Sequence, residues 1–355
     1  MKKYISLLAI AIVAVISSCS NEDVTVSKTV NFTVNPSTVV EPFVEKYSYI
    51  LTNVLGSNKG ELESFSTDYK LRVRLFVYDK NGELAKKASG DFSNYDVKLK
   101  ESIFLPVGSY TAIAISDVYS PGKNFEFWAV SGEDHLATLK IEETGYYGDC
   151  LTILGATKQN FMVGDTGVDV NIDIKSAGAL FLVLYSNVYI FSDVKEYELS
   201  VNKLQKSINY DSNGDYTIST QNNNGSFDWR INSIVLKDLD TQYINQRRWA
   251  TQLPMNNVSV CFSYWTNDAT KPAQLGNGYT WDIKAGNGYF CWLSLSSTEW
   301  STYYLTVEEA TDAFKGSSRS RASEIDTNDA LLLNVPKSLR RNDAAVGQYL
   351  YPKNL

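Results

Sequence analysis

The stretch from Gly167 to Gly178, "GVDVNIDIKSAG", constrains the fold more than any other. Val168, Val170, Ile172 and Ile174 alternate there with Asp169, Asn171, Asp173 and Lys175. A period of two puts each set on its own side of an extended chain, so the segment reads as a strand with one buried and one wet face. Such a strand suits an antiparallel sheet packed on one side only. "KLRVRLFVYDKNGELAKK" repeats the pattern: Leu71, Val73, Leu75 and Val77 alternate with Arg72, Arg74, Phe76 and Tyr78, and Asn81-Gly82 supplies a tight hairpin turn. "SIFLPVGSYTAIAISDVY" predicts a second strand pair, broken at Pro106 and Gly108. The composition fits, since 23 Tyr and 15 Phe against 3 Met favour pleated, half-buried surfaces.

At Lys175 to Gly178 the pattern restarts with the more continuously apolar "ALFLVLYSNVYIF", which marks a domain boundary. The second half then repeats the vocabulary of the first. Asn213-Gly214 is another hairpin turn, "QLPMNNVSVCFSYWTND" parallels "FLPVGSYTAIAISDVY", and Gly-Asn-Gly-Tyr occurs at 276–279 and 286–289. No long amphipathic helix is expected; the helical candidates are short, in "TVEEATDAFKG" and "TNDALLLNV". With 355 residues, 44% of them hydrophobic, the chain can bury one or two cores. The expectation is an all-β protein of two tandem antiparallel β-sandwich domains, at 31–175 and 176–314. Residues 1–18 precede them as a signal peptide and 19–30 as a lipidated tether; 315–355 follow as a polar, Ser- and Arg-rich linker and C-terminal segment with room for one further strand in "ALLLNV".

The first eighteen residues are an export signal: Met1-Lys2-Lys3 is a positive n-region, and "YISLLAIAIVAVI" is too short to span a bilayer. "ISSC" follows, and it resembles a bacterial lipobox with Ile16 where Leu is usual. Cys19 is therefore the expected site of lipidation, and three acyl chains there would hold the protein firmly where one would be marginal. Ser20 is not the Asp that retains lipoproteins in an inner membrane, and Asn21-Glu22-Asp23 is similar to the acidic surface-export signal of Bacteroides-type bacteria. The expected location is the outer membrane, lipid-anchored and facing outward.

Catalytic constellations are absent from the sequence. His135 is the one histidine, which rules out a His-based metal cluster and an H-E-x-x-H helix, and no G-x-S-x-G elbow accompanies it. Glu142-Glu143 and Glu308-Glu309 are neighbours in sequence; on strands, adjacent side chains point to opposite faces and would not flank one glycosidic bond. Asp211, Asn213 and Asp215 in "DSNGD" have the look of a calcium loop, but Asn222 stands where its bidentate Glu is needed, and a hairpin turn is the better reading. Neither an enzyme nor a cofactor or metal site is expected. A net charge of −7 without a concentrated basic stripe also argues against nucleic acid as a partner.

Apart from Cys19, the cysteines are Cys150, Cys261 and Cys291, an odd number that leaves at least one thiol free. Cys261 with Cys291 is the natural pair if a disulfide forms, since both lie in predicted strands of the second domain. Their phases argue against it: Cys261 shares a face with Ser259 and Ser263, and Cys291 with Leu293 and Leu295.

The lipobox leader, "LRVRLFVYDKNGEL", "FLPVGSYTAIAIS" and a second β domain together resemble the fimbrillin-A-associated anchor family, the FimB-type minor and anchor subunits of Bacteroides-class (type V) fimbriae. The likeness is concentrated in residues 71–115. It implies two transthyretin-like sandwiches, a lipid at Cys19 holding a filament base to the outer membrane, and fimbrial shaft or accessory subunits as partners bound by β-strand addition. Shaft subunits of this class are cut after an Arg downstream of the lipidated Cys; here no Arg occurs between Cys19 and Arg72, so the resemblance implies a subunit that keeps its lipid and first strand. A glycan-binding surface lipoprotein is the alternative, motivated by aromatic residues of the second domain such as Trp265 and Trp281, although in a sandwich most such rings are core.

Overall fold

The computed structural model describes residues 26–55, 68–122, 125–144, 153–186, 194–201, 205–220, 246–266, 270, 273–295, 299–318 and 345–348. In chain order the first elements are β1 (Ser27–Asn35), helix α1 (Ser37–Tyr49), β2 (Lys70–Tyr78), β3 (Leu84–Phe92), β4 (Leu99–Pro106), β5 (Gly108–Ser120), β6 (Phe125–Glu126), β7 (Trp128–Ser131), β8 (Lys140–Glu143), β9 (Gly155–Val163) and β10 (Val168–Asp173). They are followed by β11 (Ala179–Ser186), β12 (Val194–Val201), β13 (Gln205–Tyr210), β14 (Tyr216–Thr220), β15 (Gln246–Gln252), β16 (Met255–Thr266), β17 (Ala273–Gln274), β18 (Tyr279–Ile283), β19 (Gly288–Leu295), β20 (Glu299–Thr306), helix α2 (Val307–Ser318) and β21 (Ala345–Gln348). The protein is all-β in class; the described residues form five sheets, with two α-helices packed on them.

Alternation builds the first layer. Val30, Phe32 and Val34 of β1 are buried on one side, and Asn31 on the other side is exposed. β1 is the middle strand of a three-stranded sheet, antiparallel to β4 and parallel to β10. β10 has its expected face pattern, with Val170 and Ile172 buried and Asp169, Asn171 and Asp173 exposed. Its neighbour nonetheless runs parallel, over Val30↔Val168 to Asn35↔Asp173, against the antiparallel expectation. Alternation reports which face is wet and carries no information about the direction of the next strand.

The second layer is β3–β2–β5, with β6 and β9 also paired to β5. The Asn81-Gly82 hairpin forms as predicted, with Gly82 at φ +84°. β4 and β5, expected as a pair, belong to different layers: β4 lies on β1, and β5 on β2 and β9. The chain crosses between layers at Pro106 and Gly108. Phe32 of the first layer meets Phe161 of the second edge-to-face, with ring centroids 5.4 Å apart. Phe76 and Tyr78, expected on the wet face of β2, are buried because residues 125–144 cover it: the Tyr78 hydroxyl donates to Glu133 O at 2.9 Å. In a further sheet, β14–β13–β8–β7, the Asn213-Gly214 hairpin pairs with β8, so strands from both sides of residue 176 share one ladder.

Helix α1 was not legible in the sequence. Val39, Val40, Phe43 and Tyr47 are its buried stripe, and Ile50, Leu51 and Val54 continue it through a π-helical turn at Ile50–Val54. The helix seats on the start of β11 and β19, which pair in parallel from Leu180↔Gly288. The Tyr47 hydroxyl donates toward Leu180 O (2.5 Å) and Tyr289 O (2.9 Å) and accepts from Tyr289 N at 2.8 Å. Gly288 makes this approach possible, since a Cβ there would stand 2.9 Å from the Tyr47 ring and 2.8 Å from Val307.

β11 and β19 belong to the sheet β15–β11–β19–β20–β21. One of its faces, with Phe181, Val183, Tyr289, Cys291 and Leu293, packs on Val258, Val260 and Phe262 of β16. The other, with Leu180, Leu182, Phe290 and Trp292, joins the core that contains α1 and α2. Burial on both faces explains the continuous apolar run of β11. Helix α2 lies in the predicted "TVEEATDAFKG" and is capped reciprocally: the Glu309 carboxylate accepts from Thr306 N (2.8 Å) and Thr306 Oγ1 (3.0 Å), while Thr306 Oγ1 accepts from Glu309 N at 3.2 Å. β21 adds antiparallel to β20 within the C-terminal segment; "TNDALLLNV" lies outside the described residues.

Candidate functional site

A cluster of charges is buried where β2 crosses β5. Arg72 and Asp117 are direct cross-strand partners, and Arg74 lies two residues further along β2 on the same face. Alternation with leucine and valine placed the arginines outside in the sequence reading; the cover over this face makes it an interior. Arg72 donates from Nε and Nη2 to the Asp117 carboxylate at 3.3 and 2.8 Å, and from Nη1 to Glu126 of β6 at 2.6 Å. Arg74 Nη2 donates to Asp117 Oδ1 at 2.9 Å. The Arg72 guanidinium also lies 4.7 Å from the Tyr119 ring centroid, and the Tyr119 hydroxyl donates to Asp91 of β3. Two positive and two negative charges balance within a few ångströms.

Burial and pairing compete at each group. It works against the charge of Arg72, but the Asp117 and Glu126 carboxylates outweigh it and the guanidinium is held above its ordinary value. Arg74 is pulled down by burial, with Asp117 opposing. Asp117, fully enclosed, is pushed up by burial against the pull of both arginines. The Glu126 carboxyl is lowered by its hydrogen bond from Arg72. Asp117 is taken up by the two arginines, and the cluster ties β2, β5 and β6 together. Sequence reasoning missed Asp117, whose signal was an aspartate within the apolar run "TAIAISDVY", three strands after the arginines of β2 in the chain.

The structure gives the other sequence candidates local roles. His135 Nδ1 accepts from Ala137 N at 3.1 Å, capping a short 3₁₀ turn, and its ring packs over Gly82, where a Cβ would stand 3.0 Å from it. Glu142 pairs with Lys140, Glu308 with Lys46 of α1, and Glu309 caps α2. Asp211 Oδ1 accepts from Asn213 N and Asp215 N within the hairpin turn, and Asp215 pairs with Lys158 of β9. Among the described residues no group of three or more His, Cys, Asp or Glu converges as a metal site.

Cys261 and Cys291 are free and buried, in different sheets, so the structure does not contain the disulfide considered for them. Burial raises both thiols above their ordinary value. Trp281 is half-buried and packs against the second core: its ring centroid lies 4.9 Å from Tyr289, 5.1 Å from the exposed Tyr279 and 6.1 Å from Phe181. The Trp265 side chain, Cys150 and Cys19 lie outside the described residues.

The geometry with most bearing on Cys19 is that of β1. Its first residue stands eight positions after Cys19, and it is hydrogen-bonded on both sides, to β4 from Ser27↔Pro106 to Val34↔Leu99 and to β10 from Val30↔Val168 to Asn35↔Asp173. Tension applied through residue 19 would load both ladders in shear, many hydrogen bonds at once.

No family model matches the chain, and no curated protein matches it. Solved structures do match. Among them are proteins described as polysaccharide-binding, as adhesins and as fimbrial. The fimbrial anchor protein Mfa2 from Porphyromonas gingivalis is 12% identical at a TM-score of 0.39, with 78% of this chain and 95% of that chain covered. The tip fimbrial protein Mfa3 from the same organism is 8% identical at a TM-score of 0.38, covering 79% and 99%. A fimbrial assembly protein from Parabacteroides distasonis is 14% identical at a TM-score of 0.35, covering 80% and 97%.

Proposed function

We propose that this chain is a lipid-anchored anchor or minor subunit of a cell-surface fimbria, attached to the outer membrane through Cys19 and joined to other subunits by β-strand addition. The observation that carries the reading is the coupling of "ISSC" to β1: a lipid attachment motif lies just ahead of a strand built into the middle of a sheet. An anchor has to transmit force from a filament to a membrane, and a central strand pulled in shear does so better than a peeled edge.

The position of Arg72 supports retention of that strand. It is the first arginine after Cys19, its backbone is laddered to both β3 and β5, and its side chain is bound by Asp117 and Glu126. A protease would have to open the sheet to cut there. Strand addition requires an edge that does not repel a partner. Edge strand β3 carries Lys86 and Lys87, and β4 carries Lys100 and Glu101, whereas β14, "YTIST", has neither charge nor proline. The domain division at residue 176 is retained as part of this proposal, with α1 and the β13–β14 hairpin as the joints across it.

Deleting the gene tests the reading. Electron microscopy should show fimbriae that are shed or altered in number, length or attachment; fimbriae unchanged in all of these would refute it.

A further inference from the structure

Seven large apolar side chains are exposed among the described residues, and the four most exposed gather at one end of the first sandwich: Val26, Phe104, Val107 and Met162, at 58%, 64%, 54% and 69%. Pairing brings them together. Ser27 is the partner of Pro106, which sets Val26 beside Val107 at the tip; Phe104 is the partner of Thr29, and Met162 of Ser109. Phe104 projects from the outer face of the β1 layer, alternating with buried Leu105. Met162 projects from the outer face of the β5–β9 layer, because its neighbour Phe161 points inward to Phe32. The apolar groups therefore cap the tip and flank it on both sides. Phe104 lies three residues, about 10 Å, along β4 from Val107.

We infer that this end of the sandwich rests in the interfacial region of the bilayer, with Phe104, Val107 and Met162 immersed among headgroups and upper acyl chains. The inference rests on the lipid anchor proposed at Cys19. Val26 is seven residues from Cys19, and at roughly 3.3–3.6 Å per residue the tether can hold the tip no more than about 25 Å from the acylated sulfur. The first described residue, Val26, lies at this apolar end. An amphipathic surface element sinks about 5–10 Å into the headgroup boundary, comparable to the span from Val107 to Phe104. Asp79 and Asp165 lie at the same end as Lys28 and Lys80, so the charges balance without favouring anionic lipid; contact is driven by apolar burial and should be insensitive to salt.

The test uses the full lipidated chain, purified from membranes and reconstituted in phosphatidylcholine vesicles, with a Cys150→Ser background and the probe NBD on one introduced cysteine. Phe104→Cys, Val107→Cys and Met162→Cys are compared with Lys100→Cys, an exposed position on the same face of β4 as Phe104 but toward the opposite end. All four are surface changes, and the N-terminal peptide mass of each sample reports acylation independently. The expected result is a blue-shifted NBD emission, quenched by brominated acyl chains, at 104, 107 and 162 and unchanged by salt, with neither effect at 100. Triacylated protein whose probes at all four positions behave alike overturns the membrane contact and leaves the anchor standing. A shift that appears without vesicles and grows with protein concentration assigns the patch to a second copy of the chain and also overturns it. An unmodified Cys19 overturns the anchor reading itself, and the contact with it.

Discussion

Asp117 concentrates the chemistry of the interior in one carboxylate. It is fully buried and holds two guanidinium groups, so Asp117→Asn would leave Arg72 and Arg74 enclosed without their shared anion. Removing one partner of a buried pair costs about 3–5 kcal/mol, and urea denaturation of the variant should show a loss of that order. Glu126 is different because its side chain is 43% exposed. Screening limits its pair with Arg72 to about 1 kcal/mol or less. Its lowered pKa gives the sign: the contribution is present above its ordinary value of 4.5 and is lost as pH falls through the lowered one. The stability gap between wild type and Glu126→Gln should therefore be measurable at pH 7 and close on acidification below that range. A gap independent of pH would show that the ion pair is not its source.

At the scale of elements, α1 is the joint between the two halves, and its seating depends on Tyr47 and Gly288. Tyr47→Phe would strip a hydroxyl that answers three backbone groups, at a cost of about 1–3 kcal/mol. Gly288→Ala would force a methyl against the same ring and against Val307. Thermal unfolding should show both variants destabilised, and their combination less than additive, because the two changes act on one contact. The helix escaped the sequence reading for physical reasons. It is preceded by Pro36 at the N-cap, contains Pro42, and starts with "STVV", a run rich in β-branched residues that continues the alternation of β1. The spacing 39, 40, 43, 47, 50, 51, 54 was the signal available. Helix α2 was legible because "TVEE" is a capping box ahead of an amphipathic turn. Strands with one wet face, such as β10, were also legible, but those covered on both faces, such as β2, were assigned a wet side they do not have. The Arg72–Asp117 cluster was hidden for that reason: pairing across β2 and β5 is a tertiary fact that no local pattern encodes.

For the whole molecule, the proposed anchor sets a lipid motif in sequence ahead of β1, the middle strand of the first sheet. The apolar tip, the buried Arg72 and the uncharged edge of β14 concern where the molecule is held and what it can join. On the proposed anchor, force entering at Cys19 would pass into β1 and its two ladders. The most direct test of this account is a cell fractionation of strains carrying wild type or Cys19→Ala, with the mass of the N-terminal peptide read in parallel. The account predicts a triacylated Cys19 in the wild type and, in the variant, loss of both the protein and cell-attached filaments from the outer-membrane fraction into the medium. Filaments that stay bound to cells carrying Cys19→Ala, or a wild-type Cys19 without acyl chains, would contradict it.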